Sequence, residues 1–101
     1  MDFEKIKMLY VNLKNILIVY GDGSNMPQYK IVKLLIDILS SNENNEEKLE
    51  KIIHNYKMLF PAKGGLTEFY IWDDDFETRR KLNEQLNFIR DSLWSIMRNY
   101  I

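Results

Sequence analysis

No cysteine occurs anywhere in the chain, which removes disulfides, thiolate nucleophiles and cysteine-based zinc together. Histidine is nearly as scarce: His54 stands alone, so there is no HxxxH pair, and a metal would need carboxylates only. Neither a metal nor a cofactor is expected. No apolar run approaches a bilayer span, and residues 1–18 lack the basic, apolar and small-residue order of an export signal, so the expected location is cytoplasmic, with no membrane partner. The chain also lacks GxGxxG, GxxxxGK[ST], GxSxG and HExxH, and Gly21-Asp-Gly-Ser resembles a calcium loop only in composition, without spaced oxygen ligands or a closing Glu.

What is present is ordinary for a globular domain: 46% hydrophobic and 29% charged residues over 101 positions, the size of one core and not of two. A single domain over 1–101 is expected. The net charge of -1 conceals one biased stretch, residues 64–79, with five acids and one base. An acidic stretch opposes a phosphate-backbone footprint, so nucleic acid is not an expected partner, and a basic protein surface is.

Four helical patterns follow in order. Ile6, Leu9, Tyr10, Leu13, Ile16, Leu17 and Tyr20 fall at steps of three and four, predicting a helix over about 3–20. Gly21 is placed for the left-handed residue after it, and Asn25, Pro27 and Gln28 read as the next N-cap, an early proline and a capping-box partner. Ile31, Leu34, Leu35, Ile38 and Leu39, widened by Val32 and Ile36, predict a second helix over about 27–40, the most buried of the four. Polar SSNENN makes a loop. Asn44 with Glu47 then caps a third helix over about 46–59, whose stripe is Leu49, Ile52, Ile53, Tyr56, Leu59 and Phe60, with His54 off the stripe and exposed. In the last helix, about 75–100, Leu82, Leu86, Ile89, Leu93, Ile96 and Tyr100 form a heptad-like seam. Its expected start is Asp74 as N-cap with Glu77 as capping-box partner, and Asp75 to Arg79 and Glu77 to Lys81 are expected as i,i+4 pairs.

Between the third and last helices the chain carries its least ordinary stretch. Pro61 cannot continue a helix, and Gly64-Gly65 supplies two positions free to take positive φ, so a reversal is expected there. Leu66 to Trp72 is too apolar for a solvated loop, which predicts a pinned connection anchored by Phe69, Ile71, Trp72, Phe76 and Trp94, with about 5 kcal/mol or more of gross burial. Arg90 and Asp91 are placed to tie its carbonyls and amides to the last helix, Arg90 as a clamp on the 66–72 backbone.

Residues 64–77, continued by Arg80, Leu82-Asn83, Leu86, Arg90-Asp91 and Leu93-Trp94, resemble a family of small uncharacterised bacterial helical proteins, a domain of unknown function. Its pattern is Gly-Gly-Leu, an aromatic-Ile-Trp, an acidic Phe segment, Leu-Asn, then Arg-Asp and Leu-Trp. The resemblance covers about the last 40 residues. It marks Gly64, Gly65, Leu66, Phe69, Ile71, Trp72, Phe76, Asn83, Arg90, Asp91 and Trp94 as the structural motif, and implies an immunity or accessory protein beside a toxin gene. Thr67, Tyr70 and Asp73 depart from the family's usual Ser, Phe and basic residue, so this chain's connection is the more acidic.

The expected architecture is all-α, a four-helix antiparallel bundle with a Gly-Gly/aromatic connection before a long C-terminal helix. The expected function is a non-catalytic protein–protein interaction module, an immunity protein presenting Glu68, Asp73, Asp74, Asp75 and Glu77 to a basic toxin. One alternative is a small-molecule-binding or enzymatic bundle with a pocket near Gly64-Gly65 and Arg90. Two weaker enzyme forms are a magnesium site on the same five acids, and an anion site of Arg79, Glu84 and Arg90, against which the lack of any Arg before Arg79 weighs. A second alternative is a homodimer through Phe88 or Trp94.

Overall fold

A computed structural model describes residues 1–60 and 65–101, and its elements are all helical. The four α-helices are α1 (Phe3–Tyr20), α2 (Met26–Ser40), α3 (Asn45–Leu59) and α4 (Phe76–Met97), with short 3-10 turns at Gly23–Asn25 and Gly65–Thr67. The reversal expected at Pro61 and Gly64 lies outside the described residues. Gly65, with φ 65, is in the left-handed region that glycine enters without steric cost.

Each helix buries the stripe that its periodicity marks. Ile6, Leu9, Tyr10, Leu13 and Leu17 are buried on α1, Val32, Leu35, Ile38 and Leu39 on α2, Ile52, Tyr56 and Leu59 on α3, and Leu86, Ile89, Leu93 and Met97 on α4. These side chains form one cluster. Two stripe positions differ. Leu34 is 47% exposed, because the apolar positions Ile31, Val32, Leu34, Leu35, Ile36, Ile38 and Leu39 span more of the helix than one face can bury, and Lys33-Leu34 takes the outer side. Tyr100 lies beyond the end of α4, and Met97 closes the seam in its place, wholly buried.

The helix starts follow side-chain capping, with corrections to the expected residues. Asp2 accepts from Lys5 N at 3.1 Å and Asn44 from Glu47 N at 2.9 Å. Asn25 makes no cap bond to α2. Its Oδ1 instead accepts from Asp22 N at 3.0 Å while Asp22 Oδ1 accepts from Ser24 N at 2.8 Å, so the 3-10 turn is the capped element and α2 grows directly from it. Gly21 is extended, φ -76, and not left-handed. A Cβ there would stand 2.5 Å from Leu17 O, which already accepts from Gly21 N, so glycine is required for close approach. At α4 the cap is Asp75, not Asp74: Asp75 Oδ2 accepts from both Thr78 N at 2.9 Å and Thr78 Oγ1 at 2.6 Å. Thr78 decides the register, since only Asp75 lies three residues before it.

Packing pairs are α1 with α2, α2 with α3, and α1 with α4, while α3 meets the turn at Gly65–Thr67. Leu66, Phe69 and Ile71 are buried in the same cluster as the helices. The connection is therefore an element of the core, and it decides what α4 shows to solvent.

Asp22 and Asp75 both sit below the ordinary aspartate range. Asp22 is lowered first by the Ser24 hydroxyl and then by the Ser24 amide, and Asp75 by the corresponding groups of Thr78. A carboxylate whose folded pKa is depressed stabilises the fold above its unfolded pKa, near 3.9 for Asp, and loses that contribution as the pH falls through the folded value. The melting-temperature gap between wild type and Asp75→Ala should be constant above pH about 5 and close as the pH falls below about 4. Thermal melts across that range check it, and a gap that widens in acid contradicts the assignment.

Candidate functional site

The site grows from how α4 holds the connection. The chain bends at Glu68 and again at Asp74 and Asp75, and between them it runs without turn or bend. Burial along this run alternates: Phe69 and Ile71 in, Tyr70 and Trp72 out, the period of an extended strand. Two side chains of α4 satisfy the polar groups on one side of it. Asn83 Oδ1 accepts from Ile71 N at 3.0 Å and Asn83 Nδ2 donates to Ile71 O at 2.9 Å, reproducing the paired contacts of a neighbouring strand. Arg90 Nη1 donates to Leu66 O at 2.7 Å and to Phe69 O at 2.9 Å, while Nη2 donates to Asn87 Oδ1 at 2.6 Å.

Arg90 thus makes the contacts expected of a clamp. Partial burial lowers its pKa, against the attraction of Asp91, yet an arginine remains charged at neutral pH. Asp91 is exposed and forms no hydrogen bond to the connection among the described residues. Charge-assisted bonds to two carbonyls contribute about 2 kcal/mol, so Arg90→Ala should lower the melting temperature by roughly 8 to 16 °C. A melt within a degree of wild type sinks the clamp.

The expected anchors divide. Leu66, Phe69 and Ile71 are buried, but Trp72 is 66% exposed, Phe76 62% and Trp94 52%. Phe69 and Ile71 already fill the inward positions of the strand-like run, so Trp72 must face outward, and Phe76 follows it around the first turn of α4. The guanidinium carbon of Arg79 lies 4.4 Å from the centre of the Trp72 ring and 5.4 Å from that of Phe76, with Nη1 reaching Asp73 O at 3.4 Å. This stacking replaces the expected Asp75 to Arg79 pair. Glu77 likewise pairs with Arg80 at 2.9 Å and not with Lys81, and Arg80 also meets Glu84 at 2.6 Å. The Glu77 bond is the main cause of a raised Arg80 pKa.

The five acids proposed for a partner are consequently not equivalent. Asp75 is taken up by capping and Glu77 by Arg80. Asp73 Oδ1 accepts from Asp75 N at 2.9 Å, holding the bend, and the residue is half-buried. Glu68 and Asp74 are exposed and form no ion pair among the described residues. No three carboxylates converge as metal ligands among the described residues. Arg79, Glu84 and Arg90 are engaged with three different sets of neighbours and do not share a site.

Beside the free edge of the connection runs a groove of about 540 Å³ between Glu68–Trp72 and the α1–α2 turn, lined by Tyr20, Asp22, Ser24, Glu68, Tyr70 and Trp72 among others. Its charged lining residues are both acids. Asp22 joins it from a point 46 residues away in sequence, so no local pattern could have singled it out. A larger groove of about 750 Å³ lies between α1 and α4, lined by Asn12, Asn15, Lys81, Glu84 and exposed Phe88, with its charges balanced. A cleft of about 440 Å³ lies at Arg90 with Tyr56, Lys57, Phe60, Thr67 and Trp94. Size favours the α1–α4 groove, but among the described residues it is the Glu68–Trp72 edge that joins a purely acidic lining to exposed aromatics. Phe88 and Trp94, six residues apart, project about 120° apart around α4 and do not make one patch. Compared with protein-family models, curated proteins and solved structures, the chain gives no match in any of the three.

Proposed function

We propose that this chain is a non-catalytic protein–protein interaction module whose contact surface is the acidic and aromatic ridge from Glu68 to Glu77. In its specific form it is a cytoplasmic immunity protein of the bacterial family that its C-terminal stretch from Gly64 resembles, binding a basic toxin. The architecture is an antiparallel four-helix bundle of one domain, with the connection laid along one side. The observation that carries the proposal is the display of Trp72 and Phe76 around Arg79. Tryptophan, tyrosine and arginine are the residues that dominate binding energy in protein interfaces, and here Tyr70 and Trp72 stand exposed, Trp72 against a half-buried Arg79, with the exposed acids Glu68 and Asp74 in the same stretch. Unpaired acids at the rim would speed encounter with a basic partner and select it.

The test is capture from the native lysate by tagged wild type, by a Glu68→Gln/Asp73→Asn/Asp74→Asn variant, and by Trp72→Ala. Asp75 and Glu77 are left intact because they hold the helix. A protein held by wild type at low salt and lost by both variants is the expected result. Equal capture by all three would remove the ridge from the interface.

The cleft at Arg90 supports a second reading, a small-molecule site, because the rings of Tyr56, Phe60 and Trp94 line it together with Lys57 and Asp91. Arg90 itself is committed to the backbone of the connection, which leaves Lys57 as the cation a ligand would meet.

A further inference from the structure

We propose that the outer edge of the 69–72 run accepts one extended, lysine- or arginine-rich segment of a partner protein as an added strand, seated in the acidic groove against the α1–α2 turn. It rests on the partner-binding function proposed above and names how the partner is held.

Backbone geometry supplies the first step. In an extended chain, the N–H and C=O of alternate residues point to opposite sides. Arg90 takes Phe69 O, and Asn83 takes both polar groups of Ile71, so residues 69 and 71 address α4. Tyr70 and Trp72 must then direct their N–H and C=O away from α4. No hydrogen bond to these four groups is formed among the described residues. A strand edge left open in this way is a template for strand addition, in which main-chain bonds supply affinity and alternate side chains supply selectivity.

The groove supplies the second step. It lies along this edge and has Tyr70 and Trp72 in one wall and Asp22 and Ser24 in the other. Asp22 is fixed as a carboxylate at neutral pH by the Ser24 hydroxyl and amide. With Glu68 on the facing wall, an added strand would place alternate side chains between two carboxylates, which lysine or arginine satisfies.

A second copy of this chain is the occupant that charge disfavours. Pairing two such edges would bring Glu68, Asp73 and Asp74 of each copy against the other, and like charges opposed across a strand pair are destabilising. Acids along an exposed edge are a known means of preventing self-association.

The probe is a blocked seven-residue peptide alternating lysine with threonine or valine, titrated into the full chain while backbone amides are followed by NMR. Saturable shifts at the Tyr70 and Trp72 amides, with cross-strand contacts to the peptide, are expected. N-methylation of the peptide at alternate residues should weaken binding at least tenfold, and glutamate in place of lysine should abolish it. An N-methylated peptide that binds within twofold of the parent overturns strand addition while leaving the acidic ridge as a side-chain surface. No shift at these amides up to millimolar peptide overturns the edge as a site, and the lysate experiment still decides the wider proposal. A chain with Glu68→Gln should bind the parent peptide several-fold more weakly. Its unchanged melting curve would show that the loss is one of recognition.

Discussion

Ile71→Ala and Leu66→Ala should each lower the free energy of unfolding by about 3 kcal/mol, on the scale of Leu13→Ala or Leu93→Ala in the helices. Both side chains are wholly buried, in the same cluster as the helix seams. Leucine and isoleucine truncations at such positions lose the transfer free energy of the removed groups and leave a cavity that neighbours only partly fill. A surface loop docked on a finished bundle would lose roughly 1 kcal/mol or less on the same change, because it could shift to close the gap. Urea melts decide between them. A midpoint shift for Ile71→Ala no larger than that of an exposed truncation such as Val19→Ala would show that the connection is ornamental to the fold. Tyr70→Ala, one residue away but exposed, is the internal control and should change stability little.

How far the sequence could be read follows from where its signals were local. Steps of three and four marked the buried faces of α1, α3 and α4, since a helix face is set by residues within one or two turns of each other. Asn44 was likewise legible as a cap, because its partner is three residues away. Errors gathered where two local signals competed. Asp74 and Asp75 are equally good caps by type, and the Thr78 hydroxyl alone breaks the tie. Trp72 is expected to pack because large aromatics are usually partly buried, yet the strand-like alternation of 69–72 gives the inward places to Phe69 and Ile71. The apolar composition of 66–72 masks that alternation.

The candidate site was half legible. Glu68, Asp73, Asp74, Asp75 and Glu77 stood out by charge, but charge alone could not show that two of them are consumed by the start of α4. Asp22, Tyr20 and Ser24 reach the groove only through tertiary packing, and nothing within their own stretch marks them. Spacing alone predicts an ion pair of Arg79 with Asp75. Its stacking on Trp72 depends on the path of the bend at Asp73–Asp75, which spacing does not encode.

Asn83→Ala should cost about 2 to 3 kcal/mol, although it removes one small polar side chain from a partly buried position. The amide is the one side chain that offers an acceptor and a donor in the arrangement a neighbouring strand would present, and Ile71 uses both. Its Nδ2 also donates to Arg79 O at 2.8 Å, so both amide protons are engaged. Alanine leaves the N–H and C=O of a buried residue without partners, and the desolvation of such groups is the larger part of the loss. Asn83→Leu fills the space and restores neither bond, so it should be no better than alanine. Asn83→Asp keeps the acceptor but turns a carboxylate toward two carbonyl oxygens. It should be the worst of the three at neutral pH and improve relative to alanine as acid protonates the new carboxyl. If Asn83→Leu matches wild type, packing and not pairing holds Ile71. The double variant with Arg90→Ala separates one clamp from two: both side chains grip the same run of backbone, so once Asn83 is gone and the run loosens, Arg90 has less left to hold. The combined loss should fall short of the sum by roughly 0.5 to 1 kcal/mol, and strict additivity would mean that the two ends of the run are held independently.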